Sequence, residues 1–361
     1  MNPDAEGAVR TRNRSNTAYK RWQRGEGVPV YHGSYVEDLH TTVVADWPRV
    51  GQKGALISLA DQEEDDGWLI ELAPGGKTNV LRHAFEASIY VVDGRGATTF
   101  WQEGGPKQTV EWQRGSIFAP PINCMHQHFN LDGQRPTRLF AVTAAPMAIN
   151  MYRNPKFVFE NPFVFEERYA GQDDYFSDAG QKLDSAEGTG FWKTNFIPDI
   201  RSFKLEPAAR GLGTTGMQFI LAANSSVGHC SQFPAGAYKQ AHRHGVGAHV
   251  IILDGTGYSL MWFDDKDEPR RVDWRDGTVI SPKEWEYHQH FNTSPIPARY
   301  MAFRLGDLDT RRPEEGRGWN TKEEVRGIPY DRENPAIYDL YEKECAKHGA
   351  SITLPHPNYI S

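Results

Sequence analysis

Residues 236–257, GAYKQAHRHGVGAHVIILDGTG, and residues 277–292, GTVISPKEWEYHQHFN, decide how this chain is read. The first stretch sets His242 and His244 two residues apart and His249 five further on, ahead of an apolar run ending in a Gly-rich turn. The second sets His288, His290 and Asn292 on alternate positions. Side chains of a strand alternate between faces, so as strands these stretches send His242 and His244 to one face, and likewise His288 and His290. Neutral imidazoles converging from two strands inside a narrow barrel form a donor set for a divalent first-row metal.

Working outward, the same punctuation occurs earlier in the chain. IYVVDGRGATTFW at 89–101 aligns with VIILDGTGYSLMW at 250–262, and TVEWQRGSIFAPP at 109–121 with RVDWRDGTVISPK at 271–283. HQHFN occurs at 126–130 and again at 288–292. The offset from Gly94 to Gly255 and that from His126 to His288 agree to within a single position. Two related units of short strands with Gly, Pro and Asp turns follow, each a β-sandwich or jelly roll. The expected divisions are an N-terminal arm (1–50), a first barrel (51–150), a connecting segment (151–200), a second barrel (201–308) and a tail (309–361).

This pattern resembles the two motifs of the cupin superfamily. One is a glycine, His-x-His, usually a Glu four or five residues on, then a glycine. The other is a glycine, a proline, a His, and an Asn four residues later. Gly236, His242, His244, Gly255, Gly277, Pro282, His288 and Asn292 fall on those places. The resemblance covers both copies and implies a bicupin. The expected fold is all-β, with two tandem cupin (jelly-roll) barrels, an N-terminal arm and a short C-terminal helix. His249 stands where the acidic ligand is expected. That leaves open a four-His site or a three-His site with His249 behind the ligands.

The repeat allows an internal comparison. Leu81 falls opposite His242, His83 opposite His244, Ser88 opposite His249, His126 opposite His288 and His128 opposite His290. The first copy has thus exchanged one histidine of the pair for leucine. It keeps three imidazoles, with Glu86 nearby, and an apolar residue in a ligand position points to a filled or repurposed cavity. The metal is expected in the second barrel. Cys124 is a candidate thiolate for the first site, against the commoner role of a lone buried cysteine as a small hydrophobe.

His242-Arg243-His244, and an aromatic ahead of His288-x-His290-x-Asn292, distantly resemble gentisate 1,2-dioxygenases and their salicylate and hydroxynaphthoate relatives. The resemblance implies Fe(II) held by His242, His244 and His288 without a Glu, with His290 as an acid/base group beside the substrate. Imidazole's pKa suits that role. The leading expectation is a mononuclear non-haem Fe(II) oxygenase that takes dioxygen and a small hydroxylated aromatic or enolisable substrate. The alternatives are a redox-silent lyase, decarboxylase or isomerase using Mn, Zn or Ni, and a non-catalytic metabolite-binding bicupin. Gln218, Arg304 and Trp262 are candidates to line the pocket, against plain packing roles. His229 is read as structural.

Composition bounds the rest. Aromatics at 12 %, with 34 Gly and 23 Pro, suit turn-rich β structure. A net charge of −7 argues against a nucleic-acid partner. Arg10, Arg12, Arg14, Lys20, Arg21 and Arg24 make a short basic arm that reads as a solvated segment or subunit contact. Three scattered cysteines, no apolar leader and no apolar run long enough to span a bilayer lead to the expectation of a cytoplasmic protein with no membrane partner. Uncovered barrel edges favour association, so a homo-oligomer is expected. Residues 334–347, NPAIYDLYEKECAK, with Pro335 near the start and Gly349 beyond the end, predict a helix.

Overall fold

Two wide sheets lie face to face at the centre of the chain, each backed by a narrower one. The structure, a computed structural model, describes residues 16–177, 180–183, 191–208, 213–244, 247–264, 267–304 and 326–358. Arg10, Arg12 and Arg14 of the expected basic arm lie outside the described residues. Among the described residues the strands form an eight-stranded sheet backed by three strands, and a nine-stranded sheet backed by five.

The first wide sheet is apolar on both faces, which explains its unbroken apolar runs. In the first, Leu56, Ile70, Ile89, Val91 and Leu139 face the barrel interior. Their neighbours Ile57, Leu69, Tyr90, Val92 and Phe140 face the other wide sheet. Phe219, Leu221, Ile251, Met301 and Phe303 answer them from the second barrel. The outer strands alternate instead: in Gln108–Gln113 only Val110 and Trp112 are buried.

The two copies exchange strands. Val30–Gly33 runs parallel to Leu56–Leu59 of its own barrel, then Tyr35–Val36 pairs with Val279–Ile280 of the other. Phe191–Thr194 runs parallel to Gln218–Leu221, then Phe196–Ile197 pairs with Ile117–Phe118. The two crossings stand at the same place in the repeat. Equivalent arginines hold them down. Arg138 donates to the Leu39 and Thr42 carbonyls, and Arg299 to those of Ile200 and Phe203.

The repeat therefore begins at Val30 and Phe191, ahead of the expected barrel starts at 51 and 201. These segments pair over two to four residues, too few for a period to show. The crossings also cover, within the chain, edges on which the expectation of an oligomer rested.

The arm adds a helix, Ala18–Glu26, that lays Tyr19 and Trp22 over the first barrel, with Trp22 stacked on Trp68 at 5.6 Å. The tail helix Pro335–His348 is capped by the Asn334 side chain and ends at Gly349, whose φ of 67° suits a glycine. Its Tyr338 and Tyr341 cover Tyr238, Tyr258 and Phe291 on the outside of the second barrel. No helix among the described residues is long and apolar enough to cross a membrane.

Candidate metal centre

Three histidines meet at one end of the second barrel. His242, on the short strand His242–Arg243, pairs antiparallel with His288 on Tyr287–Asn292. His244 follows two residues on. One ring nitrogen from each of His242, His244 and His288 lies within 4.8 Å of the others, with His242 and His244 half-buried and His288 buried. Ring centroids are 4.3 Å apart for His242 and His288, and 5.0 Å for His244 and His288.

His288 Nδ1 lies 3.0 Å from the Glu286 carbonyl, a contact that fixes the proton on Nδ1 and offers Nε2 to a metal. Beside this, Trp285 takes a φ of 60°, and its N–H donates to the His244 carbonyl. The tail supports the site from outside, because Gly327 pairs with His242. Among the described residues no carboxylate joins the triad. Three neutral nitrogen donors at this spacing fit a divalent transition metal and leave it its full charge.

The structure does not bring His249 to this group. On His249–Asp254, Val250 and Ile252 point into the barrel, so strand alternation turns His249 to the opposite face. There it sits fully buried between the barrels, its Nδ1 3.4 Å from Asp65 of the first barrel. Of the two arrangements left open, this geometry matches the three-His one, with His249 on the far side of the sheet.

His290 is buried on the inner face, with Nδ1 2.7 Å from Ser259 Oγ. Ser259 accepts from Trp274 Nε1 at 3.1 Å, leaving its hydroxyl proton for Nδ1. Burial, and then the neighbouring His288, hold the His290 pKa well below the usual imidazole value. Gln218 pairs with His229, and Arg304 shares a strand parity with Tyr300, so both belong to the inner wall. Trp262 does not: it packs with Tyr258 and Leu260 on the outer face beneath the tail.

Sequence reading missed Lys239, Ser231 and Tyr300, which are buried inside the barrel and joined by hydrogen bonds. The repeat held the signal. Their counterparts in the first barrel are Thr78, Ile70 and Leu139, and those of Gln218 and His229 are Leu56 and Trp68. Positions that are mostly apolar in the first barrel and polar in the second, converging on the barrel interior, mark the cavity.

The first barrel is filled. Leu81 bridges His126 through both backbone hydrogen bonds, the place His242 takes beside His288. His83 stacks on Phe85 at 4.1 Å, and its Nδ1 lies 2.8 Å from the Phe85 carbonyl. Phe100, Phe118 and Trp68 occupy the interior. Burial drives the His83 pKa down to about 3 and that of His126 to about 4, so both rings are neutral. Glu86 turns away to Arg168 and the Ser225 and Ser226 amides. Burial pushes the Cys124 thiol up to about 12, which makes it a small buried hydrophobe and not a thiolate.

Comparison with known proteins agrees with this architecture. Residues 52–172 match the family described as auxin binding protein. A solved structure of salicylate 1,2-dioxygenase from Pseudaminobacter salicylatoxidans superposes with a TM-score of 0.50 at 15 % identity, covering 68 % of this chain and 72 % of that one. Oxalate decarboxylase from Bacillus subtilis, described with Mn(II) centres, gives 0.52 at 10 % identity, covering 86 % and 84 %. The chain has the fold of a bicupin, two tandem jelly-roll barrels. At such identities the two structures speak for the fold alone, and the family match falls on the first barrel. The histidine triad of the second barrel therefore rests on its own geometry.

Proposed function

We propose that the chain is a metal-dependent enzyme whose second barrel holds one Fe(II) on His242, His244 and His288 and oxidises a small hydroxylated aromatic or enolisable acid with dioxygen. The observation that carries this reading is the triad without a carboxylate. It is the ligand set that the gentisate-type resemblance implies, and it supports activation of an anionic substrate and dioxygen at one uncompensated charge.

The chain's own groups would do the rest. His242 and His288 are held by strand pairing, so the donor geometry is set before the metal arrives. His290 is fixed through Ser259 and Trp274; with Nδ1 accepting from Ser259, the neutral ring carries its proton on Nε2 and can pass it to a bound substrate. The aliphatic inner wall of Val250, Ile252 and Met261 excludes water.

A redox-silent decarboxylase or lyase, with Mn in place of iron, is the second reading. The likeness to oxalate decarboxylase over most of both chains favours keeping it. Protein purified without oxygen, assayed for metal and then screened over hydroxybenzoates and β-diketo acids, separates the two. Oxygen uptake stoichiometric with product supports the oxygenase. Carbon dioxide release without oxygen uptake supports the decarboxylase.

A further inference from the structure

Deep in the second barrel stands a lysine with no acid. Lys239 is 8 % exposed, and its Nζ donates to Ser231 Oγ at 2.5 Å and Tyr300 OH at 2.8 Å. Its remaining contacts are the rings of Tyr300 and Phe233. Among the described residues no carboxylate pairs with it. A buried cation facing only hydroxyls and rings lacks the compensation that burial normally demands. A second group inside the barrel, on the wide sheet that carries Ser231 and Tyr300, is also unsatisfied: Gln218, 5 % exposed, has its Oε1 without a hydrogen-bond partner among the described residues. The first barrel carries Thr78 opposite Lys239 and Leu56 opposite Gln218. These polar groups thus accompany the triad and are not part of the shared framework.

We infer that Lys239 and Tyr300 form a carboxylate-binding subsite, which orients an acidic substrate with its opposite end toward the histidine triad. Tyr300 ties the two ends together, since its ring lies 5.2 Å from that of His290, which in turn lies 5.8 Å from His288. A carboxylate there would accept from the ammonium and the phenol, and a hydroxyl on the same ligand would satisfy Gln218. Charge-assisted bonds of this kind are the strong ones. The inference rests on reading the second barrel as the substrate cavity, but not on which metal or reaction it serves.

The test uses full-length protein stripped of metal, with benzoate as the probe and benzamide as its neutral isostere. Binding is read by calorimetry and by the shift in melting temperature. Benzoate should bind the wild type and benzamide should not. Lys239→Met should weaken benzoate at least about 10-fold, while Lys239→Arg should keep most of the affinity. Lys239→Met should also melt no lower than the wild type in the absence of probe, because it removes a charge without a counterion. Equal benzoate affinity in wild type and Lys239→Met would overturn the inference, and so would no binding to the wild type. A clear drop in the melting temperature of Lys239→Met would mean that the lysine supports the barrel instead. Because no metal is present, failure of the oxygenase reading would leave these results standing.

Discussion

The two barrels share a buried hydrogen-bond chain and differ in what lies beside it. In the second, Trp274 donates to Ser259, which meets His290. In the first, Trp112 donates to Thr98 at 2.8 Å, and Thr98 meets His128 at 2.7 Å. Asn130 and Asn292 both close a turn by bonding backbone carbonyls. The barrel without a triad has kept the second His of HQHFN, its hydroxyl and its indole. That chain is therefore framework, and the histidine triad is the part in which the two barrels differ. One histidine exchanged for leucine, with phenylalanines filling the space, separates a packed core from a donor set.

The largest effect expected from breaking this comparison is on metal content. His244→Ala removes a direct donor, and metal affinity should fall by at least about 100-fold, beyond the roughly 10–100-fold typical of losing an orienting partner. His83→Ala, the matching change in the first barrel, should leave the metal per chain unaltered. Elemental analysis of both proteins from parallel anaerobic preparations decides it. Equal metal loss in the two would place metal in both barrels.

His290→Ala and His128→Ala sharpen the framework argument. Each leaves the hydroxyl proton of Ser259 or Thr98 without its imidazole acceptor in a buried site, so each should lose about 1–3 kcal/mol of stability. Only His290→Ala should also slow turnover per bound metal, by roughly 10²–10⁴-fold, if its Nε2 handles a proton. Denaturant melts and turnover normalised to metal provide both readings. A matched stability loss with turnover unchanged would reduce His290 to the role of His128.

Much of this was open to sequence reading, for physical reasons. The repeat was visible because both barrels need the same glycines. Gly94 and Gly255 take φ of 85°, and Gly115 and Gly277 φ of 93° and 87°, conformations that L side chains rarely adopt. The triad was visible because ligands on paired strands keep a period of two. His249 misled because spacing alone does not say which face a strand presents across a loop; its neighbours Val250 and Ile252 carried that information. Trp262 misled for the same reason, one strand on. The crossing strands and Lys239 were hidden because neither has a local pattern. Each shows only against its counterpart in the other copy of the repeat.

Leu81→His asks whether the first barrel is one residue from a metal site. The packing says otherwise. His83 is stacked on Phe85 and held through Nδ1 to its carbonyl, and the cavity is aromatic. The new imidazole would enter a core with nothing to bond. The expected result is a loss of about 2 kcal/mol, within the range for an unsatisfied buried polar group, and no gain in bound metal. Metal uptake by Leu81→His would show that the aromatic filling yields more readily than its contacts imply.

The smallest effect lies on the pseudo-symmetry axis, where the halves differ by a titratable group. His40 and Arg201 occupy equivalent positions of the repeat, and each has its N–H bonded to the aspartate two residues earlier. Both face Asp276, whose other partner is Arg114 across the barrel interface. Asp276 and Asp93 raise the His40 pKa from 6.5 to about 9. A group whose pKa is raised on folding stabilises fully below its unfolded value and loses that contribution as pH rises through the folded one. Stability should therefore decline between about pH 6.5 and pH 9. The cluster is partly solvated, so roughly 1 kcal/mol is at stake after screening. His40→Arg makes the halves alike and should flatten the decline, since guanidinium stays charged throughout. His40→Gln should flatten it too, but at the lower stability the wild type reaches when His40 is neutral. Denaturation midpoints for the three proteins across this range, at low salt, supply the comparison. A wild-type slope that survives in His40→Arg would assign the titration to another group.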